Sequence, residues 1–223
     1  MIISRSEFMD TFKLIITFAL AAVIGYLIGS LNSSITVIKI WKKQDIRDYG
    51  SKNAGLTNTL RVYGKAPALV TLICDLAKGV IAVLLCRWIA SMIGAVDNTI
   101  IVGYIAGILV MIGHIFPLYY GFKGGKGVLI AATTLLAIDP VTFSIIIPFF
   151  IIVLLITNYV SVASISAAAF YPVVTLICQS LRNFETTVLD TIFAGIIGII
   201  IIYMHRSNIT RLRNGTENKF RKK

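Results

Sequence analysis

Between Asp139 and Asn158 the chain reads PVTFSIIIPFFIIVLLIT, eighteen residues without a charge. A bilayer core about 30 Å thick takes roughly 20 apolar residues per helix. Seven segments of this kind are candidates to cross: about 14–37, 67–93, 99–118, 128–138, 141–157, 160–180 and 188–204. The fourth is too short to cross alone, so it tilts, re-enters or shares its crossing with the loop before it. The sequence thus predicts an all-α membrane protein, a seven-transmembrane-helix bundle whose fourth segment is short. No inverted internal repeat and no low-complexity stretch interrupts the pattern. One integral membrane domain over 1–223 is expected. The first run follows Arg5 and Lys13, but it is long and lacks a clear A-x-A site. It reads as a retained span, not a cleaved signal.

Composition agrees. The chain is 57% hydrophobic and 14% charged, against about 25% charged in an average soluble domain. In a soluble protein a net charge of +11 would suggest nucleic acid. Here the basic residues lie between or after the apolar runs, so they read as topology signals and contacts to anionic substrates, with no nucleic-acid partner. Lys39, Lys42, Lys43, Arg47, Lys52, Arg61 and Lys65 occupy the first loop, Lys123 and Lys126 the third. Arg206, Arg211, Arg213, Lys219, Arg221, Lys222 and Lys223 occupy the tail. These sixteen share one side of a seven-span arrangement, against four, Arg5, Lys13, Arg87 and Arg182, on the other. The positive-inside rule puts the richer side in the cytoplasm, with the N-terminus outside and the C-terminus, including a basic tail over 214–223, inside. The tail after Gly215 reads as mobile at the lipid surface. Cys74, Cys86 and Cys178 all sit in apolar segments without metal-ligand spacing and read as small buried hydrophobes.

The polar clusters fall on that same cytoplasmic side, which suggests one assembled site rather than scattered loops. In DIRDYGSKNAGLTNTLR (Asp45–Arg61), glycines let backbone amides approach an anion and Ser, Thr and Asn add neutral donors. Arg61 is suited to bidentate phosphate contact. The plain alternative is a connector rich in turn residues. GHIFPLYYGFKGGKGV (Gly113–Val128) places Lys123 and Lys126 among Gly124, Gly125 and Gly127. It is not a nucleotide P-loop: Gly127 follows Lys126 where Ser or Thr is required, and Gly121 is one residue too close. A positive-inside anchor explains the lysines but not three glycines among them.

His114 ends the third span as a proton acceptor, a phosphate donor, a satisfied core histidine or a helix cap with Pro117 as its stop. Asp75 and Lys78, three apart on one helix face, read as a structural ion pair that orients the site. Asn158 is a candidate N-cap and Ser161 with Ser164 candidate interhelical glue. No G-x-S-x-G elbow appears. His-x-x-x-x-Asp fails because Tyr119 stands where the aspartate would be. Transfer from an already activated phosphate compound, without metal or cofactor, fits these residues best. A transporter of a small phosphate-bearing anion, or a scaffold that binds anionic lipid through its basic tail, would also use one-sided lysines.

Taken together, GSLNSS (Gly29–Ser34), DIRDYGSKNAGLTNTLR, DLAKG (Asp75–Gly79), GHIFPLYYGFKGGKGV, NYVSVAS (Asn158–Ser164) and HRSNITRLRNGTE (His205–Glu217) resemble the acyl-phosphate-dependent glycerol-3-phosphate acyltransferases of bacterial inner membranes. They follow that family's order over almost the whole chain. The resemblance implies a seven-helix, multi-pass enzyme of the bacterial cell membrane with its active site facing the cytoplasm. It implies transfer of a fatty acyl group from acyl phosphate to the 1-hydroxyl of glycerol 3-phosphate, giving lysophosphatidic acid and phosphate. Its partners are then those two substrates and membrane lipids, with the oligomeric state left open. Ser51, Asn53, Thr57, Asn58 and Arg61 are implied to line the substrate phosphates. Lys123, Lys126 and the amides of Gly124, Gly125 and Gly127 join them. Asn158 and Ser161 contribute polar groups, and His205, Asn208 and Arg211 close the glycerol 3-phosphate pocket. His114 is the candidate general base, unless the donor's own phosphate takes the proton. The chain departs from the family pattern at Asn32, where proline is common, at Lys52, where glycine is common, and at Leu129-Ile130, where Ala-Thr is usual.

Overall fold

The computed structural model describes residues 5–96, 99–183 and 185–220. Arg221, Lys222 and Lys223, counted above in the tail, lie outside the described residues. Every α or strand element among the described residues is a helix: α1 (Arg5–Ser30), α2 (Ser33–Lys42), α3 (Leu56–Tyr63), α4 (Lys65–Ile93), α5 (Ile100–Ile115), α6 (Val128–Ile138), α7 (Pro140–Thr157), α8 (Val160–Leu181), α9 (Thr187–Met204) and α10 (Arg206–Arg213). Six stretches are long and apolar enough to cross a bilayer: Glu7–Lys42, Lys65–Ile93, Ile100–Tyr120, Pro140–Thr157, Val160–Leu181 and Thr187–Met204. The apolar α6 has 11 residues, a rise of about 16 Å.

The chain forms two compact units, 1–138 and 139–223. In the first, the apolar run expected as one span over about 14–37 divides. Helix α1 stops at Ser30 and α2 restarts at Ser33, because Asn32 is extended (φ −76, ψ 107) and its Oδ1 accepts from the Ile35 amide at 3.1 Å. That is an N-cap, which satisfies a donor the new helix would otherwise leave unpaired. Lys43, with φ +55, ends α2. Helix α5 ends at Ile115, two residues before Pro117, as expected of a residue that cannot continue a helix.

Lipid tails are as apolar as Leu, so membrane helices associate through close backbone approach and interhelical hydrogen bonds. Helix α1 uses Gly25 and Gly29, spaced G-x-x-x-G, against α5. A Cβ on Gly25 would stand 2.8 Å from the Ala106 carbonyl, and one on Gly29 would overlap the Val110 carbonyl. From the α5 side, a Cβ on Gly113 would overlap the Tyr26 carbonyl. Helix α4 meets α6 where Gly79 leaves room for Thr133 Oγ1.

In the second unit α8 packs on both α7 and α9. Asp139 caps α7 through the Val141 amide and accepts from Gln179 Nε2 at 3.0 Å, from Arg182 Nη1 at 2.9 Å and from the Thr142 hydroxyl. This carboxylate therefore fastens the start of α7 to the end of α8. Cys86 and Cys178 are buried as expected, but Cys74 is exposed. It lies on the outward face of α4 beside exposed Ile73 and Leu76. An apolar run does not reveal which of its faces packs inward.

Candidate functional site

The first unit brings two of the motif loops together. Asp45 caps a short turn, Ile46–Asp48, and holds Arg47 through two oxygens, Oδ1 to Nε at 2.9 Å and Oδ2 to Nη2 at 2.7 Å. The Arg47 hydrogen bond keeps the Asp45 carboxyl below its ordinary value against an opposing effect of burial, and Asp45 raises Arg47 in return. Arg47 Nη1 then donates to the carbonyls of Tyr120 (2.6 Å) and Lys123 (3.0 Å). Thr36 Oγ1 lies 2.7 Å from the Tyr120 hydroxyl. One bidentate ion pair thus fastens the Asp45–Arg61 loop to the turn that leads into Lys-Gly-Gly-Lys-Gly.

Inside the first loop, Asn58 is the organiser. It is 1% exposed. Its Oδ1 accepts from the Ser51 amide at 2.9 Å, and its Nδ2 donates to the carbonyls of Tyr49 (3.0 Å) and Asn53 (3.1 Å). Ser51, Asn53 and Thr57 are half-buried around it, and Arg61 is exposed on α3. The Asn58 side chain is consumed by the loop, so it shapes that loop from behind.

The second loop closes over the end of α5. The amide of Gly124 donates to the Ile115 carbonyl at 2.9 Å and that of Gly125 to the His114 carbonyl at 3.1 Å. These two amides, expected to face phosphate, are spent on the helix end. The three glycines have a packing reason. A Cβ on Gly124 would overlap the His114 carbonyl, one on Gly125 would overlap His114 Nε2, and Gly127 has φ +81, a conformation glycine adopts without strain. Lys123 is exposed and Lys126 half-buried on this seat.

Beneath the loops lies a buried charge cluster. Lys78 Nζ is 2.9 Å from Asp75 Oδ1, 2.9 Å from the Leu31 carbonyl and 3.1 Å from His114 Nδ1. Ser33 Oγ donates to Asp75 Oδ1 at 2.7 Å. The expected ion pair is present, and it reaches His114.

The second unit gathers the remaining candidates. Ser161 Oγ (3.0 Å) and Asn208 Nδ2 (2.7 Å) both donate to Glu217 Oε1, and Arg211 Nε donates to Oε2 at 2.7 Å. Burial pushes the Glu217 carboxyl up, but the hydrogen bonds from Asn208, Arg211 and Ser161, with the Arg211 charge, outweigh it and hold the group below its ordinary value. The Phe220 amide donates to the Asn158 carbonyl at 2.8 Å. The tail expected to be mobile beyond Gly215 is therefore fastened down as far as Phe220. Asn158, with φ +60, ends α7 as its left-handed cap, and Tyr159 takes the N-cap place of α8 that the sequence suggested for Asn158. His205 is buried, and its Nδ1 lies 2.8 Å from the Ile201 carbonyl. A carbonyl only accepts, so Nδ1 carries a proton.

Asn32, Arg47 and Glu217 were not among the expected site residues, although each lies in or beside a quoted motif. Arg47 was read as one of many loop cations and Glu217 as part of a polar tail. Asn32 was noted only as a departure from proline. Its Nδ2 lies 3.4 Å from both the Ala54 and His114 carbonyls, so it too joins the two loops of the first unit.

Apolar helices of bilayer length, joined by braced, basic, glycine-bearing loops, are those of an integral membrane protein. The comparisons with known proteins narrow that class. The model of the family described as glycerol-3-phosphate acyltransferase matches residues 19–215, and this chain belongs to that family. The glycerol-3-phosphate acyltransferase of Chlorobaculum tepidum is 41% identical, covering 92% of this chain and 97% of that protein. The one from Clostridioides difficile is 38% identical, covering 94% and 98%. Among solved structures, the chain is similar to PlsY (YgiH), an integral membrane glycerol 3-phosphate acyltransferase, in its glycerol 3-phosphate form. The TM-score is 0.77 and the identity 31%, over 92% of this chain and 96% of that one. The lysophosphatidic acid form matches with a TM-score of 0.74 and 30% identity, over 91% and 94%.

Proposed function

We propose that this chain transfers a fatty acyl group from acyl phosphate to the 1-hydroxyl of glycerol 3-phosphate, releasing lysophosphatidic acid and inorganic phosphate. The observation that carries the reading is the likeness, over nine-tenths of the chain, to a PlsY structure in its glycerol 3-phosphate form. The family match runs through both compact units, which supports one catalytic domain over 1–223. The sixteen-to-four distribution of basic residues supports a site facing the cytoplasm of a bacterial cell, with the N-terminus outside and α6 completing a seventh crossing.

Acyl phosphate is a mixed anhydride, so its carbonyl is already activated. The protein's task is to bring two phosphate-bearing substrates together and aim a hydroxyl at that carbon. Correct placement of reactants contributes up to roughly 7–11 kcal/mol to lowering such a barrier. Arg61, Lys123 and Lys126 supply cations, and Ser51, Asn53, Thr57 and the amide of Gly127 supply neutral donors. Asn58, Gly124 and Gly125 shape the loops that carry them. Ser161, His205 and Asn208 serve the glycerol 3-phosphate side, with Asn158 and Arg211 holding the tail over it. The hydroxyl oxygen bonds to the acyl carbon, the bond from that carbon to the phosphate oxygen breaks, and the hydroxyl proton passes to the departing phosphate. His114 is the rival acceptor, but its Nδ1 already faces Lys78 Nζ at 3.1 Å, which favours the phosphate. The acyl chain lies against apolar helix faces, where each buried methylene contributes about 0.8 kcal/mol.

Donor choice tests the reading. Purified protein is given glycerol 3-phosphate with palmitoyl phosphate or with palmitoyl-coenzyme A. Lysophosphatidate should form from the first and not the second. The reverse preference would overturn the acyl-phosphate assignment while leaving the family intact.

A further inference from the structure

The buried cluster on α4 and α5 lies below the loops, yet it touches one of them. His114 is 4% exposed. On its Nδ1 side stands Lys78 Nζ at 3.1 Å. An ammonium has donors only, and Lys78 is held in place by Asp75 Oδ1 (2.9 Å) and the Leu31 carbonyl (2.9 Å). Nδ1 therefore accepts, and the neutral ring carries its proton on Nε2. On the Nε2 side stands Gly125, so close that a Cβ there would overlap the ring nitrogen and lie 2.7 Å from the Ala54 carbonyl. The His114 carbonyl meanwhile receives the Gly125 amide at 3.1 Å and faces Asn32 Nδ2 at 3.4 Å.

We propose that His114 is a positioning residue: its imidazole, oriented by the Asp75–Lys78 ion pair, is the seat on which the Lys123–Gly127 loop rests. The ion pair within the apolar helices thereby fixes where Lys123 and Lys126 stand. This rests on the reading of that loop as a phosphate cradle. A buried ion pair contributes little net stability, but it holds a ring at a set angle because displacing Lys78 would strand Asp75. The seat is selective, since only glycine at 125 clears Nε2.

The first test needs no variant. The chain has two histidines, His114 and His205. Nitrogen-15 NMR of histidine-labelled protein in detergent near pH 7, assigned with His205→Gln, should show one ring protonated at Nε2 with an accepting Nδ1. A His114 ring protonated at Nδ1, or on both nitrogens, would overturn the proposal. The second test is kinetic. His114→Asn keeps an acceptor near the Nδ1 position, and Gly125→Ala leaves His114 intact but lifts the loop. Each should raise the KM for a phosphate-bearing substrate about ten-fold or more, with kcat within about five-fold and an unchanged pH–rate profile. The double variant should be no worse than the poorer single one, because both act on one contact. A kcat loss of about a hundred-fold or more in His114→Asn, with the acidic limb of the profile removed, would make His114 the base instead. Unchanged KM values in Gly125→Ala would also refute the seat. Absence of acyl transfer in the unaltered protein would refute the functional reading alone, since the NMR signature does not depend on turnover.

Discussion

Asn208 Nδ2 lies 2.7 Å from Glu217 Oε1, and the same oxygen takes the Ser161 hydroxyl at 3.0 Å. Two donors expected to face substrate are thus aligned by a carboxylate from the tail, with Arg211 on its other oxygen. In Glu217→Gln one acceptor oxygen becomes an NH2 that faces donors. Hydrogen bonds to charged groups contribute about 1.5–3 kcal/mol each, and the Arg211 contact is discounted because that side chain is 33% exposed. A net loss of about 2 kcal/mol corresponds to roughly 4–8 °C in melting temperature at this size. Thermal melts in detergent should show that fall. Initial rates should drop about ten-fold or more, because Ser161 and Asn208 lose their alignment.

The same carboxylate sets an acid limit. The folded-state pKa values of Glu217 and Asp45 are both depressed. Their contributions to stability are therefore complete above the unfolded values, about 4 to 4.5, and vanish as pH falls through the folded values. Melting temperature should be flat from about pH 8 to 5 as far as these two groups are concerned, and fall below that. In a Glu217→Gln, Asp45→Asn double variant the acid fall should be shallower, as a series of melts against pH will show.

Asn58 separates loss of a brace from inversion of one. Asn58→Ala leaves the Ser51 amide and the carbonyls of Tyr49 and Asn53 without their partner. At about 1–3 kcal/mol for an unsatisfied buried group, offset in part by loop relaxation, a cost of about 2–4 kcal/mol is expected. Asn58→Asp is worse, since it turns a carboxylate oxygen toward those carbonyls. Activity should fall in the order Asn58, Ala, Asp, with melting temperature in the same order.

Helix glycines provide a controlled pair. Gly29→Ala drives a methyl into the Val110 carbonyl, whereas a Cβ on Gly195 meets nothing within 4 Å. Gly29→Ala should cut the yield of folded protein severalfold and lower its melting temperature by about 5 °C or more, an overpacking penalty of about 1–3 kcal/mol. Gly195→Ala should stay within about 1 °C of the parent. Size-exclusion recovery and melts on both variants check the contrast.

What the sequence conveyed depended on how local the determinant was. Runs of apolar residues are self-announcing, so α6 begins and ends at the expected residues and α4, α5, α7, α8 and α9 agree within three. The exception, α1, is instructive: a single extended residue, Asn32, breaks an apolar run because its side chain caps the helix that follows. Residue types also suggested loops suited to anions, but they do not reveal which atoms face outward. Gly124 and Gly125 look like phosphate donors in one dimension, yet their amides bond to the end of α5 across nine residues of chain or more. Arg47 and Glu217 act through partners 73 and 56 positions away, a distance no periodicity encodes. The exposed Cys74 was misplaced for the same reason: burial is set by neighbouring helices.

Acyl transfer onto the glycerol 3-phosphate oxygen is the proposed reaction. Its most direct test uses purified protein, palmitoyl phosphate, and glycerol 3-phosphate carrying heavy oxygen in the 1-hydroxyl, with products read by mass spectrometry. The expected outcome is lysophosphatidate that retains the heavy oxygen in its ester, with one unlabelled phosphate released for each ester formed. Intact palmitoyl phosphate, or phosphate released alongside free palmitate with no labelled ester, would contradict the claim.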